Sequence, residues 1–196
     1  HNRAIIMGHT SGSGSGWVEA SMTNNDSATP ALMYTCATLG GAVPQAETVA
    51  FSCTGLLDSA EENVGSGAMY LDSSDLELVH DGASEQVVAI VFPGVTVPPG
   101  AVVSDARVLF DVDEVRPGQS DADVMINIYG EAVANSAVLS GTAQDISRRT
   151  PTTHGVTWMP EASVGTHDDL LTPNIASIVQ EIVEIDGWAA GNSMGI

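Results

Sequence analysis

The strongest constraint on this chain is a period of two in its apolar residues. In "ARVLFDVDEV", Val108, Phe110 and Val112 fall on one side and Arg107, Asp111 and Asp113 on the other. "ADVMINIYGE" repeats the pattern, with Val124, Ile126 and Ile128 inward and Asn127 and Tyr129 outward. Successive strand side chains point to opposite faces, so such alternation suits strands with one buried face. "DLELVH", "EQVVAIVF" and "GVTWM" are further candidates, and "PGVTVPPG" and "RPGQSD" punctuate them with turn residues. Many short strands with Pro/Gly punctuation predict an all-β sandwich.

One segment follows another period. In "TPNIASIVQEIVEIDG", Ile175, Ile178, Val179, Ile182 and Val183 recur at helical spacing. Thr172 is placed to cap this helix, Pro173 suits its first turn, and Gly187 follows its end. A single amphipathic helix laid on the sandwich is expected. Glu181, Glu184 and Asp186 lie near its C-terminus, where the helix dipole disfavours acids.

The leading residues form a separate group. "RAIIMGHT", "GWVEAS" and "ALMYTC" are strand-like, joined by "SGSGS" and "MTNNDSATP". The expected organisation is a β-arm over 1–36, a loose connector over 37–66, and a sandwich body over 67–196. Cys36 and Cys53 bracket a stretch rich in Gly, Ala, Pro and Thr, with no C-x-x-C pair and no His at zinc spacing. A Cys36–Cys53 disulfide is the favoured reading, worth about 3 kcal/mol through loop closure. Two free buried thiols are the alternative.

Charge restricts partners. The 196 residues carry 25 acids against five arginines and no lysine, a net charge of −20. Phosphate backbones and anionic membranes are repelled by such a surface. No apolar run reaches the roughly 18 residues of a membrane span, and the first residues do not resemble a signal peptide. A signal removed before His1 fits the same sequence.

Gly191-Asn192-Ser193-Met194-Gly195 matches G-x-S-x-G, the pattern of a hydrolase nucleophile elbow. That elbow needs a strand, a turn and a helix, with an acid and a histidine after the serine. Three residues follow Ser193, so it reads as a strand residue and the chain as a non-enzyme.

From Ser73 onward the chain resembles a secreted β-sandwich module of microbial surface proteins, similar to carbohydrate-binding jelly rolls. The resemblance rests on "SSDLELVHDG", "VTVPPGAVVSDARVLFDVDE", "DISRRTPTT", "VTWMP" and "LLTPNIASIVQEIV…GWAAGNSM". It implies a jelly-roll-like sandwich, an extracellular or cell-surface location, and further strands after one that begins like "GNSMGI". Here those closing strands resemble the leading arm instead.

Three fates follow for the arm. It folds back on its own body, enters a neighbouring copy, or links repeats of one longer polypeptide. Entry into a neighbour is the preferred expectation, giving a head-to-tail homopolymer. A 30-residue connector reaches about 100 Å when extended, which permits it. Ile5, Met7, Trp17, Val18, Leu32 and Tyr34 are the expected interface anchors, each worth roughly 1.5–3 kcal/mol if buried. A monomeric carbohydrate-binding module, with glycans stacked on Trp17, Trp158 or Trp188, is the competing class; core or edge anchor positions suit these tryptophans better.

Other candidates are local. Asp111, Asp113, Glu114, Asp121 and Asp123 offer hard oxygen ligands suited to Ca²⁺ around one turn, without EF-hand spacing. Solvated acids on a hairpin tip are the alternative. His80, His154 and "THDD" lack any spacing that brings them together. Asn25-Asp26-Ser27 is a glycosylation sequon, and "SATPA" and "RTPTTHG" suit O-glycans on the same terms.

Overall fold

A computed structural model describes residues 5–8, 18–21, 31–38, 47–52, 59–115, 125–160, 165 and 168–196. Side-chain positions are described for 32–34, 59–113, 125–160, 165 and 168–196. In chain order the elements are β1 (Ile5–Gly8), β2 (Val18–Ser21), β3 (Ala31–Thr38), β4 (Glu47–Ser52), β5 (Ser59–Asn63), β6 (Met69–Tyr70) and β7 (Asp75–Leu78). There follow β8 (His80–Asp81), β9 (Ser84–Val95), β10 (Ala101–Val115), β11 (Ile126–Glu131), β12 (Pro151–Trp158), β13 (Asp169–Leu171), α1 (Ala176–Val183) and β14 (Asn192–Gly195).

The strands form two antiparallel sheets. One runs β12-β11-β1-β9-β5-β6, with β14 and β8 also paired to β9; the other runs β4-β3-β10-β2-β7, with β13 on β10. Apolar side chains from both sheets share one core, so the chain is an all-β, sandwich-like fold with one helix. Val108, Phe110 and Val112 of β10 and Ile126 and Ile128 of β11 are buried, as their alternation requires. Phe110 stacks on Trp158 across the sandwich, with ring centroids 6.1 Å apart.

β9 departs from alternation. Its residues from Gln86 to Phe92 are all buried. Val88, Ile90 and Phe92 enter the main core, while Val87, Ala89 and Val91 meet Ala60, Leu139 and Ile146 in a second cluster. Residues 132–149 supply that outer cover, and a strand covered on both faces reads as a continuous apolar run.

This cover is fastened by charge. Arg149 Nη1 donates to both carboxylate oxygens of Glu131 at 2.9 and 3.0 Å, and Nη2 donates to Asp145 Oδ2 at 3.0 Å. Nε donates to the Asp145 carbonyl at 2.9 Å. From β5, Glu62 Oε2 accepts the amides of Ile146 and Ser147, both at 2.9 Å. The planar guanidinium serves several acceptors at once, which an ammonium cannot do.

α1 buries Ile178, Val179, Ile182 and Val183. It begins later than Thr172 suggests. Thr172 Oγ1 accepts the Val108 amide at 2.9 Å, while Asn174 Oδ1 accepts Ala176 N at 2.9 Å and Ala106 N at 3.0 Å. Thr172 is thus spent on the sheet, and Asn174 supports the helix start. Gly187 follows the helix at φ +92°, a backbone conformation that L side chains rarely adopt. Glu181 is no misplaced acid: it accepts the amides of Thr153 and His154 at 2.6 and 2.8 Å and meets His154 Nδ1 at 2.7 Å.

Candidate functional interface: the seams of the leading strands

The leading segment enters both sheets as interior strands. β1 is antiparallel to β11, with Ile5 opposite Tyr129, Ile6 opposite Ile128, Met7 opposite Asn127 and Gly8 opposite Ile126. On its other side Ile6 and Met7 face Val88 and Val87 of β9. β2 sets Val18 against both Val115 of β10 and Leu78 of β7, and Glu19 against Glu114 and Glu77. β3 runs along β10 from Ala31↔Leu109 to Ala101↔Thr38, with a register shift between Val103 and Asp105.

Among the described residues, β9 reaches β11 only through β1, and β10 reaches β7 only through β2. Each seam is a main-chain ladder on both sides of the inserted strand. A hydrogen bond of this kind contributes about 0.5–1.5 kcal/mol net. An empty seam leaves two facing strand edges unpaired, the template on which other chains add.

The anchors fall in different places. Leu32 and Tyr34 are buried in the core, and the Tyr34 hydroxyl lies 3.0 Å from Thr96 Oγ1. Ile5, Met7 and Val18 occupy seam positions by backbone register. Trp17 and Asn25 lie outside the described residues. Cys36 sits opposite Glu47 on the β3–β4 hairpin, whose other end pairs Ala31 with Ser52; Cys53 lies outside the described residues.

The acids read as calcium ligands are spread along β10 and beyond it. Asp111 pairs in register with Asp169 of β13, and Glu114 with Glu19 of β2. Asp113 is half-buried, and Asp121 and Asp123 lie outside the described residues. No three His, Cys, Asp or Glu side chains converge as a metal-ligand set among the described residues. His80 lies on β8, whereas His154 on β12 is engaged by Glu181. Trp158 and Trp188 are buried, and Trp188 Nε1 donates to the Val97 carbonyl at 2.9 Å. Ser193 lies on β14, its amide donating to Asn135 Oδ1 at 2.8 Å.

Sequence reasoning missed three buried polar residues. Glu61 and Glu62 lie on β5, inside the range read as a loose connector, and Gln86 lies on β9. Acids beside an alanine in "SAEEN" carry no strand signal, and only the sheet around them accounts for their burial. β4 also falls in that range and pairs with β3.

No protein-family model, curated protein or solved structure matches the chain. Among the described residues, no helix is long and apolar enough to cross a membrane.

Proposed function

We propose that this protein is an extracellular structural subunit that polymerises head to tail by strand complementation, its leading strands closing the sheets of the next copy. The observation that supports this reading is the interior position of β1 and β2, each flanked on both sides by later strands. A single chain pairs these strands with its own body. The same ladders form when a second copy supplies the strands, so monomer and polymer share these contacts. Ladder bonds give affinity, and Leu32 and Tyr34 add buried anchors to β3.

β4 pairs only with β3 among the described residues, so β1 to β4 would travel together. The link from Ser52 to Ser59 spans about 25 Å at full extension, so donor and acceptor bodies would abut. The resemblance to secreted surface modules supports the extracellular placement. Burial of Trp158 and Trp188 removes two of the three aromatic faces that a carbohydrate-binding reading would use.

Negative-stain imaging of the full chain over a concentration series tests this. Filaments are expected, shortened by excess peptide spanning residues 1–52. Dispersed particles at every concentration, unaffected by peptide, would overturn it.

A further inference from the structure

A cleft of about 220 Å³ opens where β5, β6, β7 and β9 meet, and acids crowd it. Glu61, Asp72, Glu77 and Asp81 line it together with Gln86 and Tyr70; among the described residues no cationic side chain does. Glu61 Oε1 accepts the Glu77 amide at 2.6 Å, and the Glu77 carboxyl lies within hydrogen-bond reach of the Glu61 carboxyl. Two carboxyls side by side need a proton or a cation between them.

Gln86 supplies the second observation. It is 2% exposed and lines the cleft, and among the described residues its buried Oε1 has no hydrogen-bond partner. A buried amide oxygen without a donor costs roughly 1–3 kcal/mol. Ionised carboxylates cannot satisfy it, because they too are acceptors. A metal ion satisfies all of them at once.

We propose that this cleft is a calcium site, with the carboxylates of Glu61 and Glu77 and the amide oxygen of Gln86 as its protein ligands. The donors are all hard oxygens, and calcium accepts six to eight of them in irregular arrangements at roughly 2.3–2.6 Å. The open side of the cleft admits the waters that complete the shell. Asp72 and Asp81 at the rim add negative charge without binding directly. β2 places Glu19 in register with Glu77, which adds another acid to that row of the sheet. The site is distinct from the Asp111–Asp123 region.

The full chain, stripped with chelator and held at 150 mM salt, is titrated with calcium alone while thermal unfolding is followed. Terbium replaces calcium in a parallel titration, with emission excited through Tyr70. One saturable site that raises the melting temperature is expected. Glu77→Gln and Gln86→Leu weaken binding at least tenfold, and Asp186→Asn leaves it unchanged. Tyr70→Phe, a mild change at a partly exposed ring, lowers terbium emission while keeping the calcium-dependent shift. Absence of saturation overturns the proposal. So does binding that survives both Glu77→Gln and Gln86→Leu, or emission indifferent to Tyr70→Phe, since each marks diffuse counterions or a different site.

Discussion

Glu61 and Glu62 are consecutive residues of β5, each 2% exposed, yet their carboxyls meet opposite environments. Glu62 accepts two amides from the cover segment, whereas Glu61 accepts one amide and faces a second carboxyl. Strand alternation sends neighbours to opposite faces, so one acid fastens a loop and the other lines a cleft.

That difference sets a pH dependence. Burial first, then the hydrogen bond and charge of Glu77, push Glu61 from 4.5 up to about 9, against the opposing pull of the Glu77 amide. The folded state therefore keeps a proton that the unfolded chain releases above about pH 4.5. In chelator, this contribution is complete below that pH and is lost as pH rises towards 9. The slope cannot exceed about 1.4 kcal/mol per pH unit. Urea unfolding at pH 5 to 8 should show the decline in wild type and a flatter profile in Glu61→Gln; parallel profiles would contradict it.

Arg149 should be the most sensitive surface-lying position. Arg149→Ala leaves Glu131 buried without the Nη1 donor that both its oxygens share, and is expected to cost about 3–5 kcal/mol. Arg149→Lys restores the charge but not the planar fork, and should recover only part. Chemical denaturation of both variants measures this; a lysine variant as stable as wild type would refute the geometric reading.

Glu181 should act in the acid range. Partial burial raises its pKa, but the amides of His154 and Thr153 and the His154 ring outweigh this and hold it below 4.5. Its contribution is present above the unfolded value and is lost as pH falls through the lower folded value. Glu181→Gln is expected to cost about 1–2 kcal/mol at pH 7 and less at pH 2. Equal losses at both would show that charge is irrelevant.

Gly130 lets α1 approach β11. A Cβ there would stand 2.6 Å from Ile182 Cδ1, 2.8 Å from Ile178 Cγ2 and 3.1 Å from the Gly195 carbonyl oxygen. Gly130→Ala should cost about 1–3 kcal/mol through overpacking. Ile182→Val removes the nearest atom and should relieve part of that loss in the double variant. Strict additivity in thermal melts would place the strain elsewhere.

β10, β11 and α1 were legible because each has one buried face, and one buried face writes a period into the residues. β14 was legible as a strand, and it pairs with β9 from Asn192 to Gly195. β5 was not, because its buried acids answer to partners 16 to 85 positions away, Glu77, Ile146 and Ser147. The same distance hid Asn174 behind Thr172 as the support of the helix start. Arg149 was visible only as part of "DISRRTPTT", where neither its neighbour Arg148 nor composition singles it out. Val79, buried at φ +88°, has no sequence signal either, since β-branched residues rarely adopt that conformation.

The interior seat of β1 has a consequence for biosynthesis. This strand leaves the ribosome long before β9 and β11, the two strands it must lie between, have been translated. It therefore waits in a nascent chain without its ladder, and long-range pairing of this kind is slow. During that interval the later strands emerge with an open slot, and under the proposed exchange a leading strand from a polypeptide emerging nearby competes for it with their own.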